Sequence, residues 1–264
     1  MKLDRFTACS IPLIGLPLGE ALQTLADAGW QRIDLLGRMP HFSADPAEQD
    51  IADVEAAAAA AGVTIANLGT YLGRNFHDPD PAVVRADMEL GLHGIERAAR
   101  LGCRTARVLP GRGDDPAQIP VIAPHFAELA KAAEQAGIYL VMENHAGSIA
   151  GDPGLAVQLC EAVDSEYFGV IFEPANLLMG RVDYWSAYGT MRRWVHHVHF
   201  KDGHWVDGKY VATHYGDGDI RIAELVALLD AEGYTGHYAV EYEVGHLEPA
   251  ATGLIRWRQW LEAL

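Results

Sequence analysis

The sequence predicts an α/β protein, a single (β/α)8 TIM barrel spanning residues 1–264 with its reactive side chains at the C-terminal face of the strands. Three observations carry this. The 264 residues suit one such barrel. Short apolar runs alternate with Ala/Leu-rich helical patterns along the whole chain, and eight such units call for a parallel sheet with right-handed crossovers that closes on itself. The last four runs each end in polar residues, at the end of the strands where barrels of this kind keep their chemistry.

The elements follow in order. LDRFTACS supplies a first strand near residues 3–9. The helix LGEALQTLADA leads through Gly29 to WQRIDLL, a strand near 30–36. PAEQDIADVEAAAAAA, with Pro46 in its first turn, ends at Gly62 ahead of VTIANL, near 63–68. The long pattern PAVVRADMELGLHGIERAARL ends at Gly102, before a strand near 104–109. PVIAPHFAELAKAAEQA ends at Gly137, before IYLVMEN near 138–144. GLAVQLCEAV is followed by YFGVIFE near 168–173, with Gly169 as its terminator. WVHHVHFK forms the strand near 195–201, and IAELVALLDAE leads through Gly233 to HYAVEYE near 237–243. These glycines can take the left-handed conformation that ends a helix. An open doubly wound sheet would want a glycine-rich phosphate turn after the first strand, and ACSIPLIGLPLGE has no G-x-G-x-x-G.

Charge and cysteine content narrow the function. With 20 Lys+Arg against 36 Asp+Glu the formal charge is -16, which repels nucleic acid and anionic lipid surfaces. Cys9, Cys103 and Cys160 show no CxxC spacing and are odd in number, so reduced thiols are expected rather than a disulfide framework or a zinc-thiolate site. The N-terminal stretch carries Lys2, Asp4 and Arg5 and no long apolar run, and nowhere do ~18 apolar residues follow one another. A soluble cytoplasmic protein with no membrane partner is the expectation. A homo-oligomer is open: Trp257 and Trp260 share one helical face near the C-terminus, where they either meet a second subunit or pack on the barrel.

Four strand ends each deposit one metal-competent side chain: Glu143 in YLVMENH, Glu173 in FGVIFEPAN, His199 in VHHVHFKD and Glu241 in HYAVEYE. Alternation places Val141, Glu143 and His145 on one strand face, and His197, His199 and Lys201 on another. Three converging carboxylates repel one another unless protonated or bound to a cation. A set of three oxygens and one nitrogen suits Mn²⁺ first, with Mg²⁺, Co²⁺ or Zn²⁺ as alternatives.

The segments VMENH, FEPANLL, HHVHFKD, YGDGDI and GYTGHYAVEYE resemble the xylose-isomerase-like barrel superfamily of sugar phosphate isomerases and epimerases, over almost the whole chain. That superfamily also includes inosose and dehydroshikimate dehydratases, ketose 3-epimerases and endonuclease IV. The resemblance implies that Glu143, Glu173, His199 and Glu241 bind a divalent metal and that Glu143 and Glu241 double as acid/base groups. One position departs from the pattern, because the family usually has Asp where this chain has Glu173. The extra methylene demands that the ion shift, that the side chain fold back or become bidentate, or that affinity fall.

Epimerisation and β-elimination both begin with removal of a proton next to a carbonyl. Glu143 and Glu241, on the fifth and eighth strands, approach a ligand from different sides, as removal and return of a proton require. The sequence reading is therefore a metal-dependent isomerase or epimerase acting on a sugar or polyol, with a dehydratase-type lyase as alternative. Further candidate substrate contacts are His145, Asn176, Lys201, Asp202, His214 and Arg107. Asn176 stands where the ketose 3-epimerases commonly have histidine. Asn67 is placed with the barrel interior, and Tyr71, Phe76, Trp205 and Tyr215 fall in expected loops of the catalytic face, where aromatic rings can pack on sugars.

Overall fold

The structure, a computed structural model, describes residues 3–111 and 113–264; Lys2, in the N-terminal stretch read above, lies outside them. In chain order the strands are β1 (Phe6–Cys9), β2 (Arg32–Leu36), β3 (Thr64–Leu72), β4 (Thr105–Val108), β5 (Tyr139–Glu143), β6 (Phe168–Phe172), β7 (Val195–Phe200), β8 (Asp202–Val206), β9 (Lys209–Thr213) and β10 (Tyr238–Val240). All but β8 and β9 pair in parallel into a closed barrel of order β1-β10-β7-β6-β5-β4-β3-β2. The expected α/β barrel is thus the observed one, and each expected strand lies within a few residues of its place.

The outer ring holds α1 (Leu18–Asp27), α2 (Ile51–Ala61), α3 (Pro81–Arg100), α4 (Ile119–Ala136), α5 (Pro153–Val163), α6 (Pro174–Met179), α7 (Tyr184–Met191), α8 (Ile222–Ala231) and α9 (Ala250–Glu262). Their apolar faces, Leu22 and Leu25 on α1 or Phe126 and Leu129 on α4, pack with Ile33, Leu140 and Val170 of the strands in one continuous core. Trp257 of α9 is fully buried in that core, so the aromatic pair near the C-terminus packs on its own barrel. Among the described residues no helix is long and apolar enough to cross a membrane.

The structure corrects three local readings. Helix α2 begins at Ile51, not near Pro46, because Asp50 caps it by accepting the Ala52 N–H at 2.9 Å. Gly169 does not end a helix: α5 closes on Asp164 in the left-handed conformation, and Gly169 lies inside β6. It is glycine because a Cβ there would stand 2.2 Å from the Trp194 carbonyl oxygen and 2.5 Å from the His196 ring. The segment after β7 is no plain loop but the antiparallel hairpin β8–β9. Helices α6 and α7 escape the sequence pattern because six and eight residues are too short to show a helical period.

Two outcomes follow. Gly169→Ala should cost more than about 2 kcal/mol of unfolding free energy in a urea titration, because the obstacles include fixed backbone; a loss within experimental error would refute the close approach. Burial, reinforced by Arg104, pushes His196 down from 6.5 to about 4. Its contribution to stability is complete above pH 6.5 and is lost as pH falls through that window, since the unfolded ring takes up a proton that the folded one refuses. Between pH 7 and pH 5, His196→Gln should therefore lose about 1–2 kcal/mol less than the parent protein. Parallel losses in both proteins would count against it.

Candidate functional site

Barrel register decides which strand ends meet. Glu143 pairs with Ile171, Ile171 with His197, and His199 with Ala239. Glu173 and His199 therefore stand level with each other two residues above Glu143, and Glu241 stands two residues higher again. This stagger follows from the tilt of barrel strands. It brings one oxygen or nitrogen of each of Glu143, Glu173, His199 and Glu241 within 4.8 Å of all the others. His199 Nδ1 faces Glu143 Oε1 at 3.6 Å and Glu173 Oε2 and Glu241 Oε1 at 3.9 Å.

Glu173 folds back. As the residue before α6 it accepts the Ala175 N–H on Oε1 at 3.2 Å, and Oε2, fully buried and without a hydrogen-bond partner, is left toward His199. The helix start thus absorbs the added methylene and returns one oxygen to the cluster.

Two permanent cations stand against the acids. Arg107 on β4 donates to Glu143 Oε2 and to the carbonyls of Thr70 at 3.0 Å and Gly69 at 3.2 Å, under the Tyr71 ring. Lys201 Nζ lies 2.7 Å from Glu241 Oε2 and 3.0 Å from Glu243 Oε2, so its partners are these glutamates and not Asp202. Burial alone would raise Glu143, but Arg107 and His199 outweigh it and hold the carboxyl well below the usual range. Burial raises Glu173 well above that range, with Glu241 and Glu143 adding to it against Lys201. Burial would lower His199, yet Asp34, Glu143 and Glu241 together raise it well above an ordinary imidazole.

The other expected contacts divide. Asn176 and His145 line one cleft between the loops after β5 and β6, together with Ser148, Asp152 and Leu177. His145 is exposed and lies two residues beyond the end of β5 at Glu143, its Nδ1 3.0 Å from the Ala146 carbonyl oxygen. Asn176 is buried, its amide donating to the Asn144 carbonyl at 2.9 Å. Asp202 is committed to structure: its carboxylate accepts the N–H groups of Gly203, Gly216, Gly218 and Ile220 at 2.8–3.2 Å, which closes the base of the hairpin. Any side chain at Gly218 would meet that carboxylate, hence the second glycine of YGDGD, while one at Gly216 would meet the Trp260 ring. His214 turns to α9, where its Nδ1 accepts the Trp257 Nε1–H at 3.0 Å. Phe76 packs on Phe126 and Tyr215 stacks on Trp257, so both serve the core, whereas Trp205 on β8 donates to the Leu178 carbonyl at 2.9 Å.

Sequence reasoning missed Asp34, His197 and Tyr210. Asp34 and His197 lie in the barrel interior, the carboxylate accepting His197 Nε2–H at 2.6 Å. The signal was a lone acid between Ile33 and Leu35 in an otherwise apolar strand. Tyr210, on β9, has a buried hydroxyl without a hydrogen-bond partner, its ionisation suppressed by burial and by Glu173.

The family profile described as xylose isomerase-like TIM barrel matches residues 22–264. The chain belongs to this family. Its barrel superposes on a D-tagatose 3-epimerase-like protein with TM-score 0.79 and 17% identity, covering 98% of this chain and 96% of that one. A xylose isomerase-like TIM barrel protein from Mycobacterium smegmatis in complex with magnesium gives 0.77 and 18%, covering 92% and 86%. A probable 3-DHS dehydratase from Bacillus anthracis gives 0.77 and 15%, covering 98% of each. Identities this low establish the shared fold. Among curated proteins no relative matches.

The buried pair beside the cluster is testable by itself. Arg107→Leu leaves Glu143 without its cation and the Thr70 carbonyl without its arginine donor, and should destabilise the chelator-treated protein by about 3 kcal/mol or more in guanidinium unfolding. Adding Glu143→Leu should recover part of that loss; a double variant no more stable than the single one would contradict the assignment.

Proposed function

We propose that the chain is a divalent-metal-dependent isomerase or epimerase of a sugar or keto-sugar. The observation that carries this is the cluster of Glu143, Glu173, His199 and Glu241, in which His199 Nδ1 and Glu173 Oε2 are buried with no hydrogen-bond partner. Ligand atoms 3.6–3.9 Å apart suit donors that share one small cation with bonds of about 2.0–2.2 Å. The donor set of oxygens and one imidazole favours Mn²⁺, with Mg²⁺, Co²⁺ and Zn²⁺ as alternatives. When bound there, such an ion supplies Lewis-acid stabilisation of the negative charge that develops on the substrate oxygen.

The protein's own groups do the rest. Glu143 and Glu241 rise from strands separated in the barrel by β6 and β7, so they flank a substrate carbon from different sides. One removes the proton next to the carbonyl and the other returns it. Arg107 and Lys201 restrain these two carboxylates in place, which limits the reorganisation that proton transfer would otherwise require. Residues at the mouth, Asn176, His145 and Tyr210, offer hydroxyl-binding groups for a polyol. A lyase that expels a β-hydroxyl after the same proton removal is the second reading, supported by a likeness to the probable 3-DHS dehydratase nearly as great as that to the D-tagatose 3-epimerase-like protein.

Chelator-treated protein should be inactive on a panel of ketoses, keto-sugars and inososes, and Mn²⁺ should restore turnover. Retained product mass marks an isomerase and loss of water marks a lyase. Glu143→Gln and Glu241→Gln should each lower turnover by a factor on the order of 10² or more while metal content falls far less. Full activity in the metal-free protein, or near-normal turnover in both variants, would overturn the assignment.

A further inference from the structure

The polar network beneath His199 does not touch the mouth of the site. On its Nδ1 side the ring faces the three glutamates; on its Nε2 side it faces Asp34 and Cys9, whose ligand atoms lie with it inside 4.8 Å. His199 Nε2 is buried without a hydrogen-bond partner, and Asp34 Oδ2 stands 3.6 Å from it. The Cys9 thiol is a weak acceptor, whereas the Asp34 carboxylate, 3.6 Å away, is a full negative charge that favours a proton on Nε2 electrostatically.

Asp34 is itself fixed from two sides. It lies on β2 at 4% exposure, its Oδ2 accepting His197 Nε2–H at 2.6 Å and the Asn67 amide at 3.3 Å. The Asn67 amide cannot turn freely, because the Thr105 hydroxyl donates to its Oδ1 at 2.7 Å and so leaves Nδ2 to face Asp34. Four strands, β2, β3, β4 and β7, thus cooperate to place one negative charge behind one imidazole. An acid in the interior is costly unless cations or donors face it; His197 supplies the closest donor, and His199 is the second imidazole that this charge faces.

We propose that Asp34 is the positioning residue of the site, holding His199 with its proton on Nε2 so that the Nδ1 lone pair faces Glu143, Glu173 and Glu241. The inference rests on the metal reading of that cluster. It makes Asp34 a determinant of cation affinity although Asp34 contacts neither cation nor substrate, as outer carboxylates do for ligating histidines in general.

The test uses the purified, chelator-treated full chain with Mn²⁺ alone as probe, free Mn²⁺ being counted by electron paramagnetic resonance. Asp34→Asn keeps the shape and removes the charge; its Kd for Mn²⁺ should rise about 10–100-fold. In Zn²⁺-loaded, ¹⁵N-histidine-labelled parent protein, the His199 ring should show a protonated Nε2 and a ligating Nδ1, and that pattern should blur in Asp34→Asn. A purely structural role would not move those ring signals. Asn67→Ala, which lets Asp34 turn without removing it, should fall between the two, and it decides the matter if Asp34→Asn does not fold. Parent protein that binds no Mn²⁺ overturns the metal reading and this one with it. Parent protein that binds Mn²⁺, with both variants binding it equally well, overturns only the role of Asp34.

Discussion

Burying like charges in one small volume is the constraint around which the C-terminal end of this barrel's strands is arranged. Glu143, Glu173 and Glu241 converge on a single imidazole, with Asp34 close behind it, and each pays a desolvation cost that only positive charge or protonation can offset. Arg107 and Lys201 answer for Glu143 and Glu241. Glu173 has no such partner, and its buried carboxyl is accordingly the one held neutral-leaning, with a helix N–H on one oxygen and nothing on the other. The excess of acids over fixed cations is what a divalent ion would neutralise.

The stagger of the strands does the placing. Parallel pairing sets Glu143 against Ile171 and His199 against Ala239, so the four donors climb around the barrel rather than sitting in one plane. The same stagger puts the Asp34, Asn67, Thr105 and His197 network one layer below the donors. A one-residue slip of β6 or β7 would turn Phe172 and Val198 inward and Glu173 and His199 outward. Gly169 guards that register, because its lack of a side chain lets β6 lie against Trp194 and His196.

The hairpin β8–β9 shows how a short motif can build a wall of the site without supplying a ligand. Asp202 gathers four backbone N–H groups and fixes where the hairpin leaves β7. Trp205 then ties the hairpin to the end of α6 through the Leu178 carbonyl, with the Arg181 guanidinium 3.8 Å over its ring. Tyr210 is carried in on the opposite strand of that hairpin.

Hydrophobic period, helix-ending glycines and the order of polar strand ends are local properties, so the eight strands, the barrel and the residues Glu143, Glu173, His199 and Glu241 were legible in the sequence alone. Elements too short to show a period, α6, α7 and the hairpin, were not. Neither were roles that depend on a partner far away in the chain. Asp202 read as a substrate contact and is a backbone anchor; His214 read as facing the site and turns to Trp257; Gly169 read as a helix stop and answers to a carbonyl on the next strand. Asp34 and His197, 163 residues apart in the chain, become neighbours only when the barrel closes. Which metal-competent residues stand at the strand ends was thus decided by the sequence, and which of them meet, and with what charge around them, was decided by closure and register, because those fix distances that no local pattern encodes.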